Sequence, residues 1–244
     1  MTDSDSPQIA PQTASQPTHQ TDSSPITRVL LVRHGQSLAN AGGIPADHIT
    51  NPLTELGHEQ AKSFAESFPS EPTLFLVSPF VRARQTSVPL VRRFPAIPVE
   101  EWPIHEFHYL APERHNGTSE EQQVPHMDTY WQRGDPTYFD GSGAESFTAF
   151  MGRTRDAMKR LARLNTGGCI VMFTHGFVMQ AFRLLSLFPA ATDHQLMSNF
   201  RRFHFVNFID NTASIEFEVV NGRLRMVGQQ HLNDFMLQGE TSHA

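Results

Sequence analysis

The triplet Arg33-His34-Gly35 stands directly after a run of four apolar residues, Val29 to Val32. A neutral imidazole is a nucleophile toward phosphorus, and a planar guanidinium can bind two phosphate oxygens at once. The apolar run is typical of a buried strand, and ligands of open α/β sheets bind outside the carboxyl ends of the strands. The triplet therefore predicts a phosphoryl site there, and polar residues farther along the chain make this prediction specific.

Three further polar side chains come after predicted strands in the same manner. Arg82 lies in the first turn of the helix after the second strand, Glu106 follows the third short strand, and His175 follows the fourth. Carboxyl ends of parallel strands meet at one edge of a sheet, so these side chains are expected to converge with the triplet.

This set supplies each part that phosphoryl transfer requires, namely a nucleophile, positive charge near the equatorial oxygens and a proton for the leaving oxygen. His34 can attack phosphorus, and Glu106 can protonate the leaving alkoxide. The phosphoryl oxygens can be bound by Arg33, Arg82 and His175.

The elements that must position these residues can be predicted from periodicity and turn residues. The predicted strands are 28–33, 73–77, 99–102, 169–173, 203–208, 213–220 and 224–228. The predicted helices are 54–68 with Thr54 as N-cap, 80–94 with Pro89 bending or interrupting it, 144–164, and one that begins at Phe177. Strands alternate with helices, which predicts a three-layer α/β/α fold with a mostly parallel sheet, made mixed by a hairpin at Asn221-Gly222.

Two segments lack such periodicity. Residues 1–26 are rich in Ser, Thr, Pro and Gln and are predicted to be a disordered tail before one catalytic domain, 27–244. Residues 103–143 are polar, and a segment of that length is usually functional or contains short helices. We expect a lid-like insertion over the site.

Five motifs resemble those of the histidine phosphatase superfamily, which includes cofactor-dependent phosphoglycerate mutase and fructose bisphosphatase domains. The resemblance covers about residues 27–235. The motifs are Leu31–Ser37 with Asn40 after it, Leu53–Ala61, Ser78–Thr86, Gly143–Phe147 and Thr174–Gly176. Together these motifs are highly specific.

The resemblance implies a mechanism and a set of roles. His34 becomes a phosphohistidine, and Glu106 or a near neighbour acts as acid and then as base toward water. His175 acts beside the nucleophile, and no metal or other cofactor is required. The residues that would hold the phosphoryl group are Arg33, Arg82, His175 and Asn40.

The identity of the acid stays open at this stage. Many family members have Gly and a Trp-Glu-Gly run after this acid, whereas Glu106 is followed by Phe107-His108-Tyr109. Glu101 and Glu113 therefore compete with Glu106 for the role.

Other polar residues have structural alternatives. Glu145-Ser146 is expected to cap the next helix or support the pocket. His105 and His108 could ligate zinc, but no further ligand cluster at a recognised spacing accompanies them. Some residues of the 103–143 segment could contact substrate or stand in solvent: Arg114, His115, Tyr130, Trp131 and Arg133.

The favoured hypothesis is a metal-independent phosphatase of a small phosphorylated metabolite. A mutase is the nearest alternative, although the arginine-rich insertion that mutases usually carry is not found. A non-catalytic phospho-ligand module and a zinc hydrolase are rivals from other classes. The subunit number cannot be read from the sequence.

Composition excludes several other classes. The formal net charge of −6 argues against a general nucleic-acid binder. No membrane span or secretory signal is found, and the single Cys169 rules out an internal disulfide. We therefore expect a soluble, cytoplasmic protein.

Overall fold

The computed structural model describes residues 26–164 and 167–227. The predicted tail, apart from Ile26, lies outside the described residues, as does the end of the last predicted strand at Gly228. None of the described helices is long and apolar enough to span a bilayer.

A six-stranded mixed sheet forms the centre of the fold, in the order β3-β2-β4-β1-β5-β6. The strands are β1 (Thr27–Arg33), β2 (Leu74–Val77), β3 (Val99–Glu101), β4 (Gly168–Thr174), β5 (Ser214–Val220) and β6 (Arg223–Met226). The first four are parallel to one another, β5 is antiparallel to β1, and β6 is antiparallel to β5. The predicted α/β class and mostly parallel mixed sheet are thus confirmed.

The described part of the chain contains seven α-helices. They are α1 (Glu55–Ser67), α2 (Val81–Arg93), α3 (Pro112–His115), α4 (Glu120–Arg133), α5 (Phe147–Arg163), α6 (Gly176–Leu187) and α7 (Asp193–Val206). The hydroxyl of Thr54 accepts a hydrogen bond from the Gly57 N–H, which confirms the predicted N-cap of α1. Helix α2 continues through Pro89 without interruption.

The helices lie on both faces of the sheet because successive strand side chains alternate between faces. Leu31 belongs to the apolar cluster beneath α5, α6 and α7, whereas Val32 belongs to the cluster beneath α1 and α2. This arrangement gives the three layers.

One predicted strand is wrong, because residues 203–206 form the last turn of α7 and residues 207–208 come after it. The sequence Phe-His-Phe-Val resembles strand alternation, which would place Phe203 and Phe205 on the same face. The structure instead buries Phe203 at 1% exposure and leaves Phe205 62% exposed. Phe203 continues the helical stripe of Leu196 and Phe200, and a capping box at Thr192 starts the helix.

The polar segment 103–143 contains helices α3 and α4, in agreement with the expectation that a segment of this length contains short helices. Ser119 and Gln122 form a capping box that starts α4, and Gly134 ends the helix with a φ of 64°. Whether the segment acts as a lid stays a prediction.

Candidate active site

A cavity of about 240 Å³ opens at the carboxyl ends of β1 and β2. Its inner wall contains Arg33, His34, Arg82 and Glu106. His175 lies behind this wall, fully buried, with its ring centroid 5.1 Å from that of His34. The structure therefore brings together the five residues that the sequence placed after separate strands.

Close backbone packing holds the loop that carries His34. A Cβ atom on Gly35 would lie 2.5 Å from the carbonyl oxygen of Gly57, and one on Gly57 would lie 2.1 Å from that of Gln36. Only glycine fits at these two positions, which explains why both motifs contain one. The loop is also tied to the neighbouring strand, since His34 N–H donates to Thr174 O at 3.0 Å.

The hydrogen bonds of His34 determine its tautomer. Its Nδ1 lies 2.7 Å from the carbonyl oxygen of Gly35, which can only accept, so Nδ1 carries the proton. Its Nε2 accepts a hydrogen bond from Arg82 Nε at 3.2 Å. Nε2 is therefore the unprotonated nitrogen of the ring, and its lone pair is the nucleophilic position.

Electrostatics keep this ring uncharged. Burial, followed by the charges of Arg82 and Arg33, lowers the pKa of His34 well below 6.5. The imidazole is thus neutral near pH 7, as a nucleophile must be.

The two arginines are themselves held by backbone carbonyls. Arg82 donates from Nη1 to His48 O at 2.7 Å, and burial lowers its pKa to about 10, which leaves it charged at neutral pH. Arg33 donates from Nη1 to Ile209 O, while its buried Nε has no protein partner. That free N–H is a donor available to a ligand.

Glu106 lies in the same cavity, with its carboxylate accepting hydrogen bonds from Phe107 N at 3.0 Å and Phe177 N at 3.2 Å. Burial raises the pKa of Glu106, and this effect outweighs Arg82, the two hydrogen bonds and Arg33, which lower it. The competitors lie elsewhere: Glu101 is exposed and paired with Arg84, and Glu113 is exposed on α3.

His175 occupies the N-cap position of α6, and its Nε2 lies 2.7 Å from Ser78 Oγ. Its Nδ1 is buried and has no partner. Burial and the charge of Arg82 lower the pKa of His175 well below 6.5. The ring is consequently neutral in the unliganded site.

Comparison with known proteins agrees with this geometry. The family model described as histidine phosphatase superfamily (branch 1) matches residues 29–230. The chain belongs to this superfamily.

This chain has curated relatives that are named as phosphatases. It is 28% identical to the metal-independent phosphoserine phosphatase of Arabidopsis thaliana, over 66% of this chain and 69% of that protein. It is 31% identical to the adenosylcobalamin/alpha-ribazole phosphatase of Salmonella typhi, over 68% of this chain and 82% of that protein.

Solved structures share the fold. A mycobacterial hydrolase superposes with a TM-score of 0.63 at 22% identity, covering 83% of this chain and 97% of that one. A phosphoserine phosphatase mutant of Entamoeba histolytica, solved in complex with phosphoserine, gives a TM-score of 0.61 at 21% identity, covering 84% and 99%.

Asn40 lines the cavity, but its side-chain oxygen already accepts hydrogen bonds from Ser37 N at 3.2 Å and Asn211 Nδ2 at 3.3 Å. Asn211, which sequence reasoning missed, also donates to His34 O at 2.9 Å. No local pattern marks Asn211, because it comes after α7 and reaches the first strand only through the fold. His48, in the loop between β1 and α1, was also missed, because no local pattern marks it.

Glu145 and Ser146 have the structural roles expected of them. Ser146 caps α5 by accepting from Ala149 N, and Glu145 pairs with Arg153 at 2.7 Å. Arg153 in turn donates to the carbonyl oxygen of Glu106 at 3.4 Å, so the pair braces the loop that carries the carboxylate.

The remaining candidate residues were predicted as possible metal ligands or substrate contacts. In residues 26–164 and 167–227, no group of three or more potential ligands could hold a metal ion, and the rings of His105 and His108 lie 6.1 Å apart. His108 and His115 line the cavity. The others do not: Arg114 pairs with Asp140, Tyr130 and Trp131 join the aromatic core, and Arg133 stacks on Tyr138.

Proposed function

We propose that this histidine phosphatase hydrolyses a small phosphorylated metabolite without a metal ion, through a phosphohistidine on His34. The observation that carries the proposal is the Nε2 lone pair of a neutral His34, in one cavity with Arg33, Arg82 and Glu106. A protein that only binds phosphate has no need of such a nucleophile.

In the first step, His34 Nε2 attacks phosphorus and the bond from phosphorus to the alcohol oxygen breaks. The leaving oxygen takes the proton of Glu106, whose raised pKa favours the protonated form. The Arg82 Nε–H, which donates to the His34 lone pair in the free site, then donates to a phosphoryl oxygen. The Nδ1–H bond to Gly35 stabilises the charge that the ring gains.

In the second step, the Glu106 carboxylate removes a proton from water, and the oxygen of that water attacks phosphorus. The bond from phosphorus to Nε2 breaks, inorganic phosphate leaves, and His34 returns to its neutral tautomer. The positive charge that Mg²⁺ supplies in kinases is supplied here by the two guanidinium groups.

The size of the cavity supports a small substrate. At about 240 Å³ it falls below the usual range of pockets for drug-sized molecules, roughly 300–1,000 Å³. One curated relative is named for phosphoserine, a small phosphomonoester, and the other is named for adenosylcobalamin and alpha-ribazole.

The test is hydrolysis of para-nitrophenyl phosphate in EDTA, with vanadate as inhibitor. His34→Ala is expected to lower kcat more than a thousandfold, because covalent catalysis has no substitute there. His58→Ala, a change on the exposed face of α1, is the matched control and should keep full activity. Quenching in alkaline sodium dodecyl sulfate, which preserves a phosphohistidine, should trap labelled phosphate on the wild type and on His58→Ala, and none on His34→Ala.

A loss below tenfold in His34→Ala would refute the nucleophile assignment. Activity that EDTA abolishes and zinc restores would refute the metal-independent mechanism.

A further inference from the structure

The side-chain amide of Asn40 lines the cavity, and it can bind a phosphoryl group in one orientation only. Its nitrogen carries two N–H donors, whereas its oxygen can only accept. Phosphoryl oxygens are acceptors, so they are attracted by an amide nitrogen that faces the cavity and repelled by an amide oxygen there. The orientation of this amide therefore affects the affinity of the site for phosphate.

Two backbone groups determine this orientation. The Ser37 N–H can only donate, so the amide atom of Asn40 that lies 3.2 Å from it is Oδ1. The His34 C=O can only accept, so the amide atom of Asn211 that lies 2.9 Å from it is Nδ2. The two side chains then meet with Asn211 Nδ2 donating to Asn40 Oδ1 at 3.3 Å. The oxygen of Asn40 is thus engaged by two donors, which leaves its nitrogen to donate to a ligand.

The backbone around Asn211 is held by the end of β1. The Thr212 N–H donates to Arg33 O at 3.1 Å, and the Arg33 N–H donates to Ala213 O at 3.0 Å. Thr212 has a φ of 59°, a left-handed conformation that β-branched residues rarely adopt. These two hydrogen bonds stabilise that conformation, so the side chain of Asn211 starts from a fixed point beside the strand that carries the nucleophile.

Asn211 also holds the peptide group that follows the nucleophile. The His34 C=O and the Gly35 N–H belong to this one peptide group. The C=O accepts from Asn211, and the N–H donates to Thr86 Oγ1 at 3.0 Å. A single side-chain amide therefore connects the backbone of His34 with the amide of Asn40.

We propose that Asn211 is a positioning residue that directs the amide nitrogen of Asn40 toward a phosphoryl oxygen. Asn40 belongs to the cavity wall and Asn211 does not, so Asn211 acts on the substrate through Asn40. The inference rests on the proposed function, because it adds a residue to the same phosphoryl site.

The test variant is Asn211→Asp, which keeps the shape of the side chain and removes its N–H donors. Its carboxylate would face two acceptors, His34 O and Asn40 Oδ1. The Asn40 amide would relieve this repulsion by turning its nitrogen to the carboxylate and its oxygen to the cavity. The inhibition constant of inorganic phosphate against para-nitrophenyl phosphate hydrolysis is expected to rise at least tenfold, since a donor to a charged group is replaced by an acceptor.

A double-mutant cycle with Asn40→Ala separates positioning from the added charge, because the charge of Asn211→Asp acts in both backgrounds. Without the Asn40 amide, Asn211→Asp should weaken phosphate less than threefold. Asn211→Ala removes the donor without adding charge, so it provides the same comparison if Asn211→Asp does not fold. It should weaken phosphate about threefold beside Asn40 and leave it unchanged in Asn40→Ala.

Asn207→Asp is the matched control, since it makes the same exchange in the same segment. Asn207 Oδ1 lies 3.4 Å from Arg183 Nη2, and the residue lines a different groove, so phosphate inhibition should stay within twofold. Equal losses in both Asn40 backgrounds, or no loss in Asn211→Asp, would overturn the positioning role, while hydrolysis by the wild type upheld the proposed function.

If no phosphomonoester is hydrolysed, the proposed function fails, and calorimetry of inorganic phosphate binding to the same cycle of variants decides on Asn211 separately. A loss of affinity confined to proteins that retain Asn40 would support the positioning role. A loss common to both backgrounds, or a wild type that binds no phosphate, would overturn it.

Discussion

Lowering the pH from 7.5 to 5.5 is expected to destabilise this protein strongly, because three buried imidazoles stay neutral in the folded state. The pKa values of His34, His48 and His175 all lie well below 6.5 in the folded protein, chiefly through burial. In the unfolded chain each takes up a proton near pH 6.5. Their stabilisation is therefore complete above pH 6.5 and is lost as the pH falls toward the lowered values.

The size of this destabilisation depends on how many histidines take up a proton only when the protein unfolds. Each such histidine contributes about 1.4 kcal/mol per pH unit below its unfolded pKa, so these three contribute about 4 kcal/mol per pH unit. The pKa values of His105, His108 and His204 are lowered to about 4, 3 and 4, so these side chains act in the same sense. Glu106 acts in the opposite sense, because its raised pKa gives stability that is lost as the pH rises. The free energy of unfolding should therefore fall by more than about 2 kcal/mol per pH unit between pH 6 and 5.

Urea unfolding at several pH values in phosphate-free buffer measures this slope, since bound phosphate would itself stabilise the fold. His48→Phe removes one buried imidazole and should reduce the slope by about 1.4 kcal/mol per pH unit, whereas the exposed His58→Ala should not change it. An unfolding free energy that is flat from pH 7.5 to 5.5 would show that the buried histidines carry charge, and the argument for a neutral nucleophile would fail with it.

Four further outcomes are expected. Glu106→Gln should lower kcat at least a hundredfold on an alkyl phosphate but less than tenfold on an activated aryl phosphate, as steady-state kinetics would show; equal losses would move the acid elsewhere. In a pH–rate profile on an alkyl phosphate, kcat/KM should not fall as the pH drops through 6.5, because the pKa of His34 is lowered, and should decline on the alkaline side as Glu106 loses its proton. Arg82→Lys should weaken vanadate inhibition more than tenfold, because an ammonium group cannot replace the planar fork; an unchanged inhibition constant would contradict the assigned contact. Ser146→Ala should cost about 1 kcal/mol of stability in urea unfolding through loss of the α5 cap, with kcat unchanged; a loss of kcat without loss of stability would give Ser146 a role in the site.

Local pattern predicted most of the scaffold. The buried strands β1 and β4 appear as short apolar runs, and α1 and α5 as amphipathic stripes with Thr54 and Ser146 as caps. These features depend on residues within one or two turns of each other, so the sequence suffices to find them. Residues 203–206 were predicted wrongly as a strand, because phenylalanines spaced two apart fit strand alternation. Only the packing shows that Phe203 is buried and Phe205 is exposed.

The sequence by itself determined which residue types could perform phosphoryl transfer and that they come after successive strands. The tertiary structure decided their chemical state and their partners. It selected Glu106 over Glu101 by burial, made Nε2 the unprotonated nitrogen of His34, and brought Asn211 to His34 from 177 positions away. Protonation and hydrogen bonding depend on desolvation and on contacts between distant segments, and neither exists until the sheet and its helices have packed together.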